Sequence, residues 1–175
     1  SGTFPIEAAM LAANMAPGMK RHFLAEKWEN LIPIRHFQDA KEEAADLVDL
    51  SVETDIQGYD IDGEIIKAAR ANAKMAGVDH LIHFQQRPVS ELSHPKKYGF
   101  VITNPPYGER LLERQGAEAL YRAFGKAWRT LPAGWRTLVL SSHTEFERCF
   151  GKPADKKRKL YNGMIKCDVF MYGNV

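Results

Sequence analysis

Apolar and polar positions along this chain follow two rhythms. Short apolar runs bounded by Gly, Pro, Asn or Asp recur at residues 56–61, 81–85, 98–103 and 137–141, and each predicts a strand. Between them the period lengthens. Residues 62–75 put Ile65, Ile66, Ala69 and Ala73 on one stripe, with Asp62 as the N-cap and Gly77 where a helix C-cap is favoured. Further helices are predicted at 117–131 and 144–150. The opening residues read as a Gly-containing loop feeding a helix, with Thr3 as N-cap, Pro5 in the first turn and an Ala-rich run behind them. Residues 14–55 form a longer connection, broken at Pro17-Gly18 and carrying a charged helical stretch at 38–50. The last apolar segment, 160–172, alternates around Asn162-Gly163, a hairpin turn signal. Strands alternating with helices imply an α/β fold with a parallel sheet covered on both faces.

Composition narrows this picture. With 175 residues and 45% hydrophobic content, the chain can bury one good core and reads as a single domain, 1–175. A net charge of +2 does not by itself announce a nucleic-acid binder, so that inference must rest on where the charge sits. Cys149 and Cys167 are too few for a disulfide framework, which points to a reducing, cytoplasmic setting. No apolar run approaches membrane-spanning length. The first residues lack the basic region of a secretory signal, and Glu7 interrupts their apolar stretch.

The candidate chemistry concentrates at the end of the third predicted strand, where residues 98–103 run into Asn104-Pro105-Pro106-Tyr107. An amide offers a carbonyl to an exocyclic N–H. Two prolines fix φ and lack N–H groups, so the loop is stiff and its carbonyls stay available. Tyr107 adds a flat face on which a base can stack. Asp60, at the end of the first predicted strand, suits the two hydroxyls of a ribose, with Ile61 beside it as an apolar wall. One contiguous basic run stands out, Lys156-Lys157-Arg158-Lys159, readable as a solvated loop or as a phosphate contact, and Tyr161 and Asn162 beside it lie within reach of a substrate. The six histidines lack metal-ligand spacing, so no metal is expected, and Cys149 has no histidine base adjacent to it in sequence.

Asn104-Pro105-Pro106-Tyr107 resembles the catalytic signature of S-adenosylmethionine-dependent amino-methyltransferases. Its extension through Gly108-Glu109-Arg110 is similar to the rRNA guanine-N2 branch, whose members are also labelled N6-adenine-specific DNA methylases. The likeness covers almost the whole chain, including Ser1-Gly2-Thr3, the strand end Gly58-Tyr59-Asp60-Ile61-Asp62, and residues 156–163. It implies a Rossmann-like, mostly parallel seven-stranded sheet with a C-terminal antiparallel hairpin. It also implies a first strand and an RNA-binding domain of the THUMP type upstream of Ser1.

The resemblance further assigns Ser1, Gly2 and Thr3 to the methionine end of the cofactor, Asp60 and Ile61 to its adenosine, and counts Asn104 among the cofactor-binding residues too. It implies an acidic adenine ligand where this chain has Pro88, so that either Gln86 or a backbone group would substitute for it or cofactor affinity would be weaker. The Asn104 side-chain carbonyl and the Pro105 backbone carbonyl would hold the target amine, and Tyr107 would stack on the base. Arg110 and Lys156, Lys157, Arg158 and Lys159 would contact RNA, with 23S rRNA the implied partner. Adenine-N6 methylation, glutamine-N5 methylation of a protein and a non-catalytic RNA-binding module remain open alternatives. The basic run favours a polyanion over a protein substrate, and the Pro88 departure feeds the non-catalytic reading.

Overall fold

A computed structural model describes residues 2–108 and 111–173, the side chains of Leu111 and Leu112 excepted. The chain gathers into two compact units, Ser1–Gln86 and Arg87–Val175, each with its own sheet and core.

In the first unit, α1 (Thr3–Ala12) and α3 (Gly63–Ala76) pack on a parallel pair, β1 (Ile56–Asp60) and β2 (Ile82–Gln86). Ile6, Ala9 and Ala13 on α1 and Ile66, Ala69 and Ala73 on α3 meet Val78, Leu81, Ile82 and Phe84 in one cluster. The alanines let the two helices approach closely. Burial of a side chain such as Ile66 or Phe84 contributes about 1.5–3 kcal/mol. Asp62 caps α3 as expected, its carboxylate accepting the Glu64 N–H at 2.8 Å. Gly77 closes the helix at φ 81.

Thr3 does not cap α1. The N-cap is Gly2, at φ 83 and with no side-chain cap bond, and Thr3 is already helical. Only glycine fits that position easily, because an added Cβ would lie 2.8 Å from the Ala69 Cβ. The charged helix, α2 (Ile34–Asp46), starts four residues before its predicted position of 38, directly behind Pro33, and buries none of its residues. β2 starts one residue late because Leu81 closes a 3-10 turn onto the Val78 carbonyl at 3.1 Å.

In the second unit the sheet order is β3-β4-β6-β5. β3 (Tyr98–Thr103) lies parallel to β4 (Gly134–Ser141), with Thr103 beside Val139 at the C-terminal end. β6 (Ile165–Tyr172) runs antiparallel to β4, and β5 (Lys156–Asn162) antiparallel to β6. α4 (Leu111–Trp128) and α5 (Phe146–Phe150) contribute to an aromatic core with Tyr121, Phe124, Phe146, Phe150, Phe170 and Tyr172. Phe146 stands 4.6 Å from Phe170 and Phe150 4.7 Å from Tyr172, ring to ring. α4 ends before the predicted Leu131 because Thr130 folds back, its hydroxyl donating to the Ala127 carbonyl at 2.7 Å.

The predicted hairpin is present, with a shifted turn. Asn162 still pairs with Ile165, so Gly163-Met164 forms the two-residue loop, and Gly163 takes φ 61 at its first position. The expected parallel strands and terminal hairpin are thus in place. The described residues form six strands in two sheets.

Candidate active site

In the first unit, the residues expected to hold a nucleoside sit at the C-terminal end of the β1–β2 pair. Asp60 is the last residue of β1 and the register partner of Gln86. One Asp60 oxygen accepts the Asp62 N–H at 3.0 Å, a local turn that fixes the carboxylate. The Ile61 side chain is 70% exposed, an apolar surface beside that acid. Gln86 donates its amide N–H to the Ile61 carbonyl at 2.9 Å. Gly63 leaves room for it: a Cβ there would lie 2.9 Å from the Gln86 oxygen. Gln86 therefore braces the Asp60–Ile61 corner. Gly2 and Thr3 form the N-terminus of α1, where N–H groups and the helix dipole favour an anionic group. Ser1 lies outside the described residues.

In the second unit, β3 delivers Asn104 to the strand's end as an exposed side chain, followed by a buried Pro105 and an exposed Pro106. The Tyr107 hydroxyl donates to Asn104 Oδ1 at 2.6 Å. Asn162 Nδ2 donates to the same Tyr107 hydroxyl at 3.2 Å. From the helix side, the Tyr121 hydroxyl donates to the Pro106 carbonyl at 2.6 Å and lies 3.3 Å from Ser141 Oγ. Ser141 Oγ in turn accepts the His143 N–H at 3.1 Å. The loop is held by its prolines, by α4 and by the hairpin. Burial pushes the Tyr107 phenol above its ordinary value, the Asn162 bond opposes the rise, and the Cys167 thiol adds to it. Burial likewise raises Tyr121, opposed by its Ser141 bond.

The basic run is strand, where a loop was one reading. β-pleating sends Lys157 and Lys159 to one face and Lys156 and Arg158 to the other. Lys157 pairs with Glu147 at 2.9 Å, which raises its pKa, and Lys159 is the register partner of Asp168. Lys156 and Arg158 form no ion pair among the described residues and are exposed on an edge strand. Arg110 lies outside the described residues. Pro88 opens a short turn, its carbonyl accepting the Glu91 N–H at 3.0 Å, and offers no carboxylate.

His143 is buried, with Nδ1 accepting the Glu145 N–H at 3.1 Å. Its Nε2 has no hydrogen-bond partner among the described residues and stands 3.9 Å from Glu118. Burial, followed by Arg114, lowers its pKa. Cys149 and Cys167 are buried free thiols, and burial raises Cys149. Among the described residues, no group of three His, Cys, Asp or Glu is placed to hold a metal.

Sequence reasoning puts Asn162 only within reach of a substrate, and it does not single out Tyr121 at all. A Tyr in an apolar helical stripe reads as core, and the pairing that matters, with Pro106, is 15 residues away.

Sequence and structure comparisons place these features in a lineage. YpsC of Bacillus subtilis is 38% identical over 172 residues, covering 98% of this chain and 44% of its own length. The ribosomal RNA large subunit methyltransferase K/L of Vibrio parahaemolyticus is 40% identical over 173 residues, covering 95% of this chain and 24% of its own length. The crystal structure of SMU.472 complexed with SAH superposes with a TM-score of 0.91 at 39% identity, covering 99% of this chain and 46% of that one. The chain thus spans less than half the length of these relatives, and at that identity the likeness extends to a Rossmann-like α/β methyltransferase fold. The family model for the RMKL-like methyltransferase domain matches residues 1–170, and the chain belongs to that family.

Proposed function

We propose that this chain is the catalytic domain of an S-adenosylmethionine-dependent methyltransferase acting on an exocyclic amine of an RNA base, with guanine N2 of 23S rRNA as the target. The observation that carries the reading is the Asn104–Tyr107 loop at the end of β3, whose amide and phenol are tied together at 2.6 Å while its backbone is braced by Tyr121. K/L relatives named for large-subunit rRNA support RNA as the substrate class, and the SAH bound in SMU.472 supports the cofactor.

The residues of the first unit fit that cofactor. Asp60 offers a fixed carboxylate to ribose hydroxyls, Ile61 an exposed apolar face to adenine, and Gly2-Thr3 a helix N-terminus to the methionine carboxylate. When bound, S-adenosylmethionine supplies a sulfonium-activated methyl group and leaves as a thioether, the surplus amine proton passing to solvent.

The target amine is a poor nucleophile because its lone pair is delocalised into the base. Asn104 Oδ1 accepts from Tyr107, and a carbonyl oxygen has a second lone pair for a substrate N–H. Together with the Pro105 carbonyl, it draws both amine hydrogens toward one side and frees the nitrogen lone pair. Tyr107, anchored at its hydroxyl, stacks on the extruded base and offsets an unstacking cost of a few kcal/mol. Lys156 and Arg158 meet phosphates, positioning the RNA without reading its sequence. An RNA substrate and reduced thiols suit a cytoplasmic enzyme.

The test is methyl transfer by the full-length protein from labelled S-adenosylmethionine to unmethylated rRNA, DNA and protein, followed by digestion of the RNA to nucleosides. Label in N2-methylguanosine is expected. Label in N6-methyladenosine would move the target to adenine, and no transfer to any substrate would remove the catalytic reading.

A further inference from the structure

We propose that Asn162 is a positioning residue for the Asn104–Tyr107 loop, acting through the Tyr107 hydroxyl. The inference rests on the methyltransferase reading above and extends it to a residue 55 positions away in sequence.

A phenol has one proton to give. Asn162 Nδ2 donates to the Tyr107 oxygen at 3.2 Å, so that oxygen is an acceptor on the hairpin side. Its proton then goes to Asn104 Oδ1 at 2.6 Å. Two hydrogen bonds in series thus run one way, from the hairpin amide through the phenol to the loop amide. This direction also fixes the Asn104 amide. Turned over, Asn104 would aim a second N–H at a phenol oxygen already receiving one, and the phenol proton would lose its acceptor.

The relay therefore keeps the Asn104 carbonyl oxygen, rather than its NH2, on the Tyr107 side, and it immobilises the Tyr107 ring at its far end. Asn162 is free for this role because of the hairpin register. It pairs with Ile165, the turn falls at Gly163-Met164, and the Asn162 side chain reaches the Tyr107 hydroxyl.

Two substitutions in the full-length protein separate this role from a direct RNA contact. Asn162→Ala removes the donor. Asn162→Asp keeps the shape, but an ionised carboxylate can only accept, so the phenol proton is drawn toward the hairpin and away from Asn104. The readouts are kcat and KM for RNA, together with the Tyr107 phenol titration followed by 13C-labelled tyrosine NMR and assigned with Tyr107→Phe.

Both variants are expected to lower kcat by about tenfold or more with little change in KM, the pattern of a missing transition-state interaction. Both raise the phenol pKa. In a Tyr107→Phe background Asn162→Ala costs nothing further, because the residue acts through that hydroxyl. A raised KM with unchanged kcat and an unmoved phenol would overturn the proposal and make Asn162 an RNA contact. If the unsubstituted protein transfers no methyl group, the methyltransferase reading fails; the phenol titration still decides the relay, a shift supporting it and no shift overturning it.

Discussion

Tyr121 is fully buried, with its hydroxyl donating to the Pro106 carbonyl and lying beside Ser141 Oγ. Its ring packs edge-on against Phe146 at 4.9 Å, so the side chain serves the core and the loop at once. Tyr121→Phe keeps the ring and removes only the bond to the loop. Stability should fall by about 1 kcal/mol, the net worth of a hydrogen bond. Methyl transfer should slow by up to about a hundredfold, the scale at which small misplacements act, with cofactor affinity unchanged. Denaturant unfolding, calorimetry and turnover on the same variant check the three expectations. At this scale the sequence is least readable. Asn104 and Tyr107 are legible because their order after an apolar strand is itself the signal. Tyr121 sits in the stripe with Ala117 and Phe124, where an aromatic reads as core, and only its contact with Pro106 distinguishes it.

Among elements, the α4–α5 contact is the tightest test of packing. Gly125, within α4, runs so close to α5 that a Cβ would lie 1.9 Å from the Phe150 carbonyl oxygen, a backbone atom that cannot swing aside. Gly125→Ala should destabilise by about 1–3 kcal/mol through overpacking. Gly116, in the same helix, has nothing among the described residues within 4 Å of such a Cβ. Gly116→Ala should instead stabilise by about 0.5–1 kcal/mol. Opposite signs in thermal or denaturant unfolding would verify the close approach, and equal effects would refute it.

The second element-level expectation concerns β5. Because pleating splits its basic run, Lys156→Ala and Arg158→Ala should each weaken RNA binding. Each should also lower the salt-dependence slope by about 0.7–0.9 for every phosphate that is no longer neutralised. Lys157→Ala, whose ammonium pairs with Glu147, should change both less. Affinity of the full-length protein measured across a salt series separates them. The run is visible in sequence; its strand geometry is not, because four consecutive basic residues carry no period-2 apolar signal.

In the molecule as a whole, the residues proposed to hold a nucleoside belong to the first unit, and the Asn104–Tyr107 loop and the basic strand to the second. Features set by short-range chemistry are readable from sequence: the bounds of β3, the Asp62 cap, the Gly77 stop and the hairpin. Those set by long-range register are not. The Asn162–Tyr107 bond depends on which β5 residue pairs last with β6, and the Gly2 cap depends on how closely α1 approaches Ala69. Among the described residues no helix is long and apolar enough to cross a membrane.

The central claim is that Asn104 acts on the target amine and not on the cofactor. Its most direct test pairs calorimetric titration of S-adenosylmethionine with single-turnover methyl transfer, in the full-length protein and its Asn104→Ala variant. Cofactor affinity within about twofold, with transfer slowed by about 10²–10³ as when a transition-state hydrogen bond is removed, is the predicted result. Parallel loss of both, or transfer that persists near its original rate, would contradict it.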